Sequence, residues 1–292
     1  MDRAETKAGP LFLDRLAAIL RDIKVEHTVF ALPFAFMGAA LAERSFPTAA
    51  KTALILLAMV GARSAAMAFN RLVDASLDAK NPRTKTRALP SGAVKKREVA
   101  LFVAVSVALF LLAARLLNPL SFRLAPIALL VILGYSFTKR FTRLTHLFLG
   151  LSLGLTPAAG YIAVKGSIAA APVVLGAGVI FWVAGFDIIY ACLDYDFDRK
   201  TGVHSIPGCI GVGPGLRVAA LFHGLATLLF LATGIVASLG LAYYLGVGIV
   251  ALCLLYEHSI VSPKDLGRVN TAFFTVNGVV SLVLFASTLL AL

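Results

Sequence analysis

The chain has 292 residues, of which 59% are hydrophobic and 14% charged, and its mean hydropathy is +0.89. A soluble domain carries about 45–50% apolar and roughly 25% charged residues, so this chain lacks the polar surface of a soluble enzyme and is too apolar for disorder. Its net charge of +12, from 27 Lys and Arg against 15 Asp and Glu, is therefore read against a membrane, with no nucleic-acid partner.

At the N-terminus, Leu13, Leu16, Leu20 and Ile23 recur among Asp14, Arg15 and Arg21. Residues 1–26 are expected to form an amphipathic segment, at the membrane surface or over the end of a bundle. Apolar runs able to cross about 30 Å of hydrocarbon follow at 27–43, 49–70, 98–116, 121–138, 145–164, 170–193, 215–238, 240–256 and 270–292. The expected fold class is an all-α polytopic membrane protein, about nine transmembrane helices in one bundle around a central cavity. A single membrane domain would cover 1–292. Alternate loops hold 21 cations on one side against 5 on the other. That split puts the N-terminus in the cytoplasm and the C-terminus outside. The three cysteines, Cys192, Cys209 and Cys253, have no C-x-x-C spacing, which argues against zinc or a disulfide framework.

A helix ending in acids and a basic loop occurs at 60–97 and again at 180–217, and six of the ten aspartates fall in these two windows. Asn70, Asp74 and Asp78 are spaced i, i+4, i+8 and form one stripe on a helix. In the second window Asp187, Tyr190, Asp194 and Asp198 share a face, and Asp196 points away. Neighbouring carboxylates at a membrane boundary repel and lose solvation, so they need a compensating positive charge. Hard oxygen ligands without His or Cys favour Mg²⁺ over zinc. Arg71, Lys80, Arg83, Lys85 and Arg87 follow the first stripe, and Arg199 and Lys200 the second. Divalent-metal ligands beside Arg and Lys suit a pyrophosphate group.

These motifs resemble those of the UbiA-type intramembrane aromatic prenyltransferases. The first family motif, NxxxDxxxD with an R-T-x-x-R-like loop, matches Asn70, Asp74, Asp78, Arg83, Thr84 and Arg87. The second, YxxxDxxxD, matches Tyr190, Asp194 and Asp198. Between them Tyr135, Lys139 and Arg140 are similar to the Y-x-x-x-K-R segment of the 4-hydroxybenzoate branch. The resemblance covers essentially the whole chain. It implies Mg²⁺-dependent transfer of a polyprenyl group from polyprenyl diphosphate to an aromatic acid. The site would lie at the cytoplasmic loops 71–97 and 194–214, in a bacterial inner membrane.

By the same resemblance, Asp74, Asp78, Asp194 and Asp198 carry the metal, with Asn70 bonding or ligating beside them. Arg87, Lys139, Arg140 and Lys200 would bind diphosphate or the acceptor carboxylate, and Arg71, Arg83 and Tyr190 stand among the substrate-binding residues. Asp187 would coordinate, orient a neighbour or act as a base. Arg63 lies i−7 from Asn70 and faces the same cavity, because an intramembrane cation needs an internal role. Lys24, Glu26 and His27 are candidates for an acceptor pocket, with His27 as proton acceptor.

The Lys139-Arg140 segment points to a carboxylated aromatic acceptor. The stretch Ile23 to Thr28 and the Tyr256-Glu257-His258 run look like a subgroup associated with the futalosine route to menaquinone. The acceptor is thus 4-hydroxybenzoate or 1,4-dihydroxy-6-naphthoate. Glu257 and His258 read as solvated residues at a loop boundary, and Asn270 and Asn277 as a helix-packing or site pair. The competing class is a cation-coupled secondary transporter, whose acids belong near the midplane rather than at helix ends. Nothing in the sequence bears on oligomeric state.

Overall fold

The computed structural model describes residues 12–23 and 31–292. The first element, α1 (Phe12–Asp22), sets one apolar stripe inward. Ile19 and Ile23 are buried against Ala68, Val94 and Val99. Arg15 pairs with Glu98, and Asp22 faces Arg71 at 3.9 Å. Burial raises the Asp22 carboxyl above its usual value, with Arg71 and Arg87 pulling the other way. Of the amphipathic segment expected at 1–26, this is the described part, and it packs over helix ends.

Among the described residues, eight helices are long and apolar enough to cross a membrane. The first of them is α3 (Ala49–Asp78). Next come α4 (Lys96–Leu117), α5 (Pro119–Thr138) and α6 (Thr145–Lys165). A ninth apolar helix, α2 (Leu32–Glu43), corresponds to the span expected at 27–43, whose first residues lie outside the described ones. The fifth long span combines α7 (Ala170–Ala191), a 3₁₀ turn (Cys192–Asp194) and α8 (Tyr195–Thr201). A short α9 (Ile206–Ile210) then leads to α10 (Val212–Val236) and α11 (Leu241–Ser259). The chain ends in a π-helical turn (Thr271–Val276) and α12 (Asn277–Leu290). Among the described residues there is no β-strand.

Three boundaries differ from those expected. The apolar run predicted to end at residue 70 continues as helix to Asp78. A helix of this length spans about 45 Å, more than the hydrocarbon requires, and its last turns carry Asp74 and Asp78, buried and paired with cations. The loop expected at 71–97 is therefore confined to 79–95. The segment 194–214 holds two short helices.

Lipid is as apolar as leucine, so helices in a membrane associate through close packing rather than hydrophobic exclusion. Here α7 is central, with its most extensive contacts to α6 and α10. Trp182, Val179 and Leu175 of α7 pack with Phe34, Phe230, Tyr243 and Leu284. Leu101, Leu130, Leu245 and Leu252 face outward, as a lipid-contacting surface requires. Close approach depends on glycine where α2 crosses α6. A Cβ on Gly160 would run into the Ala35 carbonyl, and one on Gly38 into that of Pro157. Gly160→Val is expected to destabilise the protein by about 1–3 kcal/mol, seen as a lower thermal midpoint in detergent. An unchanged midpoint would show that α2 and α6 separate freely.

Candidate active site

Both acidic motifs open onto one cavity of about 370 Å³. The end of α3 contributes Asn70, Asp74 and Asp78, and α7 with its continuation contributes Asp187, Tyr190, Asp194 and Asp198. Arg63, Arg71, Arg83, Arg87 and Lys139 also line it. Of the second motif, α7 carries Asp187 and Tyr190, but the 3₁₀ turn breaks the continuous helix expected there. Asp194 stays at the mouth, Asp198 is buried on α8, and Asp196 is exposed.

Four basic side chains hold three of the carboxylates. Lys139 Nζ donates to Asp74 Oδ2 at 2.5 Å, and Arg140 Nη2 to Asp74 Oδ1 at 3.2 Å. Arg87 Nη1 donates to both oxygens of Asp78, at 2.9 and 2.8 Å. Arg83 grips Asp194 in a fork, Nε to Oδ1 at 3.0 Å and Nη2 to Oδ2 at 2.5 Å. Arg83 also donates to the Tyr190 hydroxyl at 3.2 Å. Burial alone would lower the Arg83 pKa, but the bond and charge of Asp194 outweigh it and hold it above its usual value. Asp198, 7% exposed, accepts from Ser205 Oγ at 2.6 Å.

The loop after α3 is shaped to present its arginines. The Asn81 side chain accepts from the Arg83 amide and donates to Asp194, at 2.9 and 3.0 Å. Thr84 Oγ1 donates to the Asp78 carbonyl at 3.0 Å. The His204 amide donates to the Lys139 carbonyl at 2.8 Å, which ties the second motif's loop to the end of α5.

Deeper in the cavity, His146 Nδ1 lies 2.7 Å from Asp187 Oδ2. The Ile206 amide donates to His146 Nε2 at 3.2 Å, so the ring's proton belongs on Nδ1, aimed at the carboxylate. Along the neighbouring wall Tyr190 packs on Phe273 and Phe274, with ring centroids 4.3 and 6.3 Å away.

Several expected site residues sit differently. Lys200 is exposed on α8 and is absent from the cavity lining, because it follows the cavity-lining Asp198 by two residues on the same helix, about 200° around its axis. Arg71 lines the cavity, but its guanidinium donates to Asn70 Oδ1 and the Asp22 carbonyl, at 3.1 and 3.4 Å. Asn70 in turn donates to Ser136 at 3.4 Å. Glu257, read as solvated, is fully buried, because α11 turns it toward α12. Lys24, Glu26 and His27 lie outside the described residues. His146, Asn81, Ser136 and Ser205 escaped the sequence reading, since single polar residues carry no spacing signal.

Among the described residues, no three His, Cys, Asp or Glu groups converge as a metal site. The donor set nevertheless fits Mg²⁺, which takes one or two carboxylates and completes its shell with water and substrate phosphate. Asp74, Asp78, Asp194 and Asp198, with Asn70 beside them, are the residues that would hold it.

Among the described residues, eight long apolar helices, several of them lining a polar cavity, define an integral membrane protein with acids and bases at one end of its bundle. The chain belongs to the UbiA prenyltransferase family, whose model matches residues 31–279, and it is a membrane prenyltransferase. A protein of Shewanella woodyi named 4-hydroxybenzoate octaprenyltransferase is 30% identical over 268 residues, covering 90% of this chain and 93% of its own. One of the same name from Aromatoleum aromaticum is 32% identical over 242 residues, or 82% and 81% of the two chains. The apo structure of a UbiA homolog from Aeropyrum pernix K1 superimposes with a TM-score of 0.82 at 36% identity, covering 90% of this chain and 97% of that one. A UbiA homolog from Archaeoglobus fulgidus, bound to DMAPP and Mg²⁺, shares the fold with a TM-score of 0.75 at 21% identity, over 94% and 98%.

Proposed function

We propose that this protein transfers a polyprenyl group from polyprenyl diphosphate to a carboxylated aromatic ring, 4-hydroxybenzoate or 1,4-dihydroxy-6-naphthoate, in quinone biosynthesis. The observation that carries the reading is the union, in one cavity, of acids from two helices, cations paired with them and an aromatic wall. The names of the relatives and the ligands of the Archaeoglobus fulgidus homolog support it. The site faces the cytoplasm of a bacterial inner membrane, an orientation that the cation asymmetry supports and a membrane that the bacterial relatives suggest.

Diphosphate enters beside Arg83, Arg87, Lys139 and Arg140. These cations exchange their carboxylate partners for phosphate oxygens, which frees the aspartates. Mg²⁺, when bound, supplies Lewis-acid neutralisation of the charge growing on the diphosphate. The same basic side chains stabilise that charge as the C1–O bond breaks and its electron pair leaves with the diphosphate. An aromatic ring carbon bonds to the allylic cation, and the ring proton passes to Asp187, oriented by His146. A second, apolar cavity of about 240 Å³ receives the isoprenoid tail; Ala62 lines it, next to Arg63 of the polar cavity.

The test is a membrane assay with Mg²⁺, polyprenyl diphosphate and either acid, scored by mass spectrometry. Product with one acid alone identifies the acceptor, and no product with either overturns the assignment. A chelator is expected to stop turnover and added Mg²⁺ to restore it. Full activity in the chelator would remove the metal from the scheme.

A further inference from the structure

Behind the cavity wall, which Trp182 and Asn277 help to line, α7, α10, α11 and α12 enclose a polar cluster that the proposed reaction leaves unused. Glu257 is 0% exposed. Its Oε1 accepts from Asn277 Nδ2 at 3.0 Å, and its Oε2 has no hydrogen-bond partner. Within reach of Oε2 is His223 Nδ1, at 3.8 Å. His223 Nε2 lies 3.2 Å from the Trp182 carbonyl, which can only accept, so the ring proton sits there. Nδ1 is then an acceptor, and His258 Nε2 fills it at 3.0 Å. His223 in this tautomer has no proton to give Glu257. A fully buried carboxyl is costly, and this one directs its single hydrogen bond to Asn277.

Asn277 is locked on every side. Its Oδ1 accepts from Trp182 Nε1 at 2.7 Å, and Nδ2 also donates to the Ala272 carbonyl at 3.0 Å. Trp182 Nε1 can only donate, so the amide cannot flip. Its backbone N–H goes to the Phe274 carbonyl, which leaves Ala272 to the side chain. That arrangement closes the π-helical turn Thr271–Val276, an irregular form that recurs at functional sites. The turn presents Phe273 and Phe274 to Tyr190.

We infer that Glu257 is a positioning residue of the prenyltransferase site: through Asn277 it fixes the π-helical turn that holds Phe273 and Phe274 against Tyr190. This rests on the proposed reaction for its kinetic effect. Glu257 touches neither the acids nor the cations of the diphosphate end, so its effect belongs to kcat and not to diphosphate binding. A small displacement of such a wall is enough to lower turnover steeply.

The experiment compares Glu257→Leu, which removes the acceptor for Asn277, with Glu257→Gln, which keeps a carbonyl there. Trp182 is the single tryptophan of the chain, so intrinsic fluorescence reports on the Asn277 bond without any substrate. Expected for Glu257→Leu is a shifted Trp182 emission and a kcat lower by about tenfold or more, with KM for polyprenyl diphosphate within about twofold. Glu257→Gln is expected to restore emission and most of kcat. If Glu257→Leu does not fold, Phe273→Leu must show the same kcat loss at unchanged diphosphate KM. Wild-type emission or wild-type kcat in Glu257→Leu overturns the inference, as does a rise in diphosphate KM in place of the kcat loss. If the wild-type protein makes no prenylated product, the proposed reaction fails, and the emission shift with its rescue by Gln still tests the link from Glu257 to Asn277.

Discussion

Asp194→Asn is expected to lower kcat by about 10³-fold, the scale of losing a principal electrostatic contributor, with the thermal midpoint unchanged. Asp194 sits at the cavity mouth with its side chain 18% exposed. An Asn there keeps the oxygen that accepts from Asn81 and Arg83 Nε, so packing survives, while the charge and the bond from Arg83 Nη2 are lost. That charge has two tasks. Before substrate binds it parks Arg83 in a forked ion pair, and afterwards it is one of the carboxylates that would hold Mg²⁺. The control is Asp196→Asn. Asp196 is two residues away but exposed on the other face, and its loss is expected to change kcat by less than about twofold. Measuring both variants in one membrane preparation separates site chemistry from general acidity. Wild-type turnover in Asp194→Asn would sink the metal and diphosphate assignment.

Asp187→Asn is expected to reduce kcat by about 10²–10⁴-fold, the usual contribution of a general base. His146 donates Nδ1–H to the carboxylate, and an Asn in its place accepts the same bond without being able to take a proton. The informative readout is an acceptor deuterated on the ring carbon that is prenylated. In the wild type, C–O cleavage precedes proton loss, and little isotope effect is expected. In Asp187→Asn proton loss becomes slow, and a primary isotope effect emerges. His146→Phe leaves the carboxylate but removes its orienting donor, so a smaller fall in kcat is expected there. An Asp187→Asn variant with unchanged kcat would assign the ring proton to another acceptor.

Much of this architecture was already legible in the amino-acid order. Hydropathy marks every long span, because a membrane helix must satisfy its backbone internally and show apolar side chains to lipid. The spacing of Asn70, Asp74 and Asp78 makes a stripe because helical geometry is local. Such patterns depend only on neighbours in the chain, so they need no tertiary information.

What the sequence leaves undetermined is which distant groups meet. Arg83 lies 111 residues from Asp194, and Lys139 lies 65 from Asp74; only packing of α3, α5 and α7 brings each pair together. The 3₁₀ turn at Cys192–Asp194 separates α7 from α8, although helical periodicity continues through it on paper. His146 and Glu257 are lone polar residues in apolar company, and nothing nearby in sequence gives them a partner. Composition and periodicity thus determined the membrane fold and the two acidic helices. The tertiary structure alone decided which cation guards which acid, that His146 orients Asp187, and that Glu257 is buried against Asn277. Pairing across helices is fixed by close packing in three dimensions, where rotating a helix by half a turn exchanges cavity for lipid.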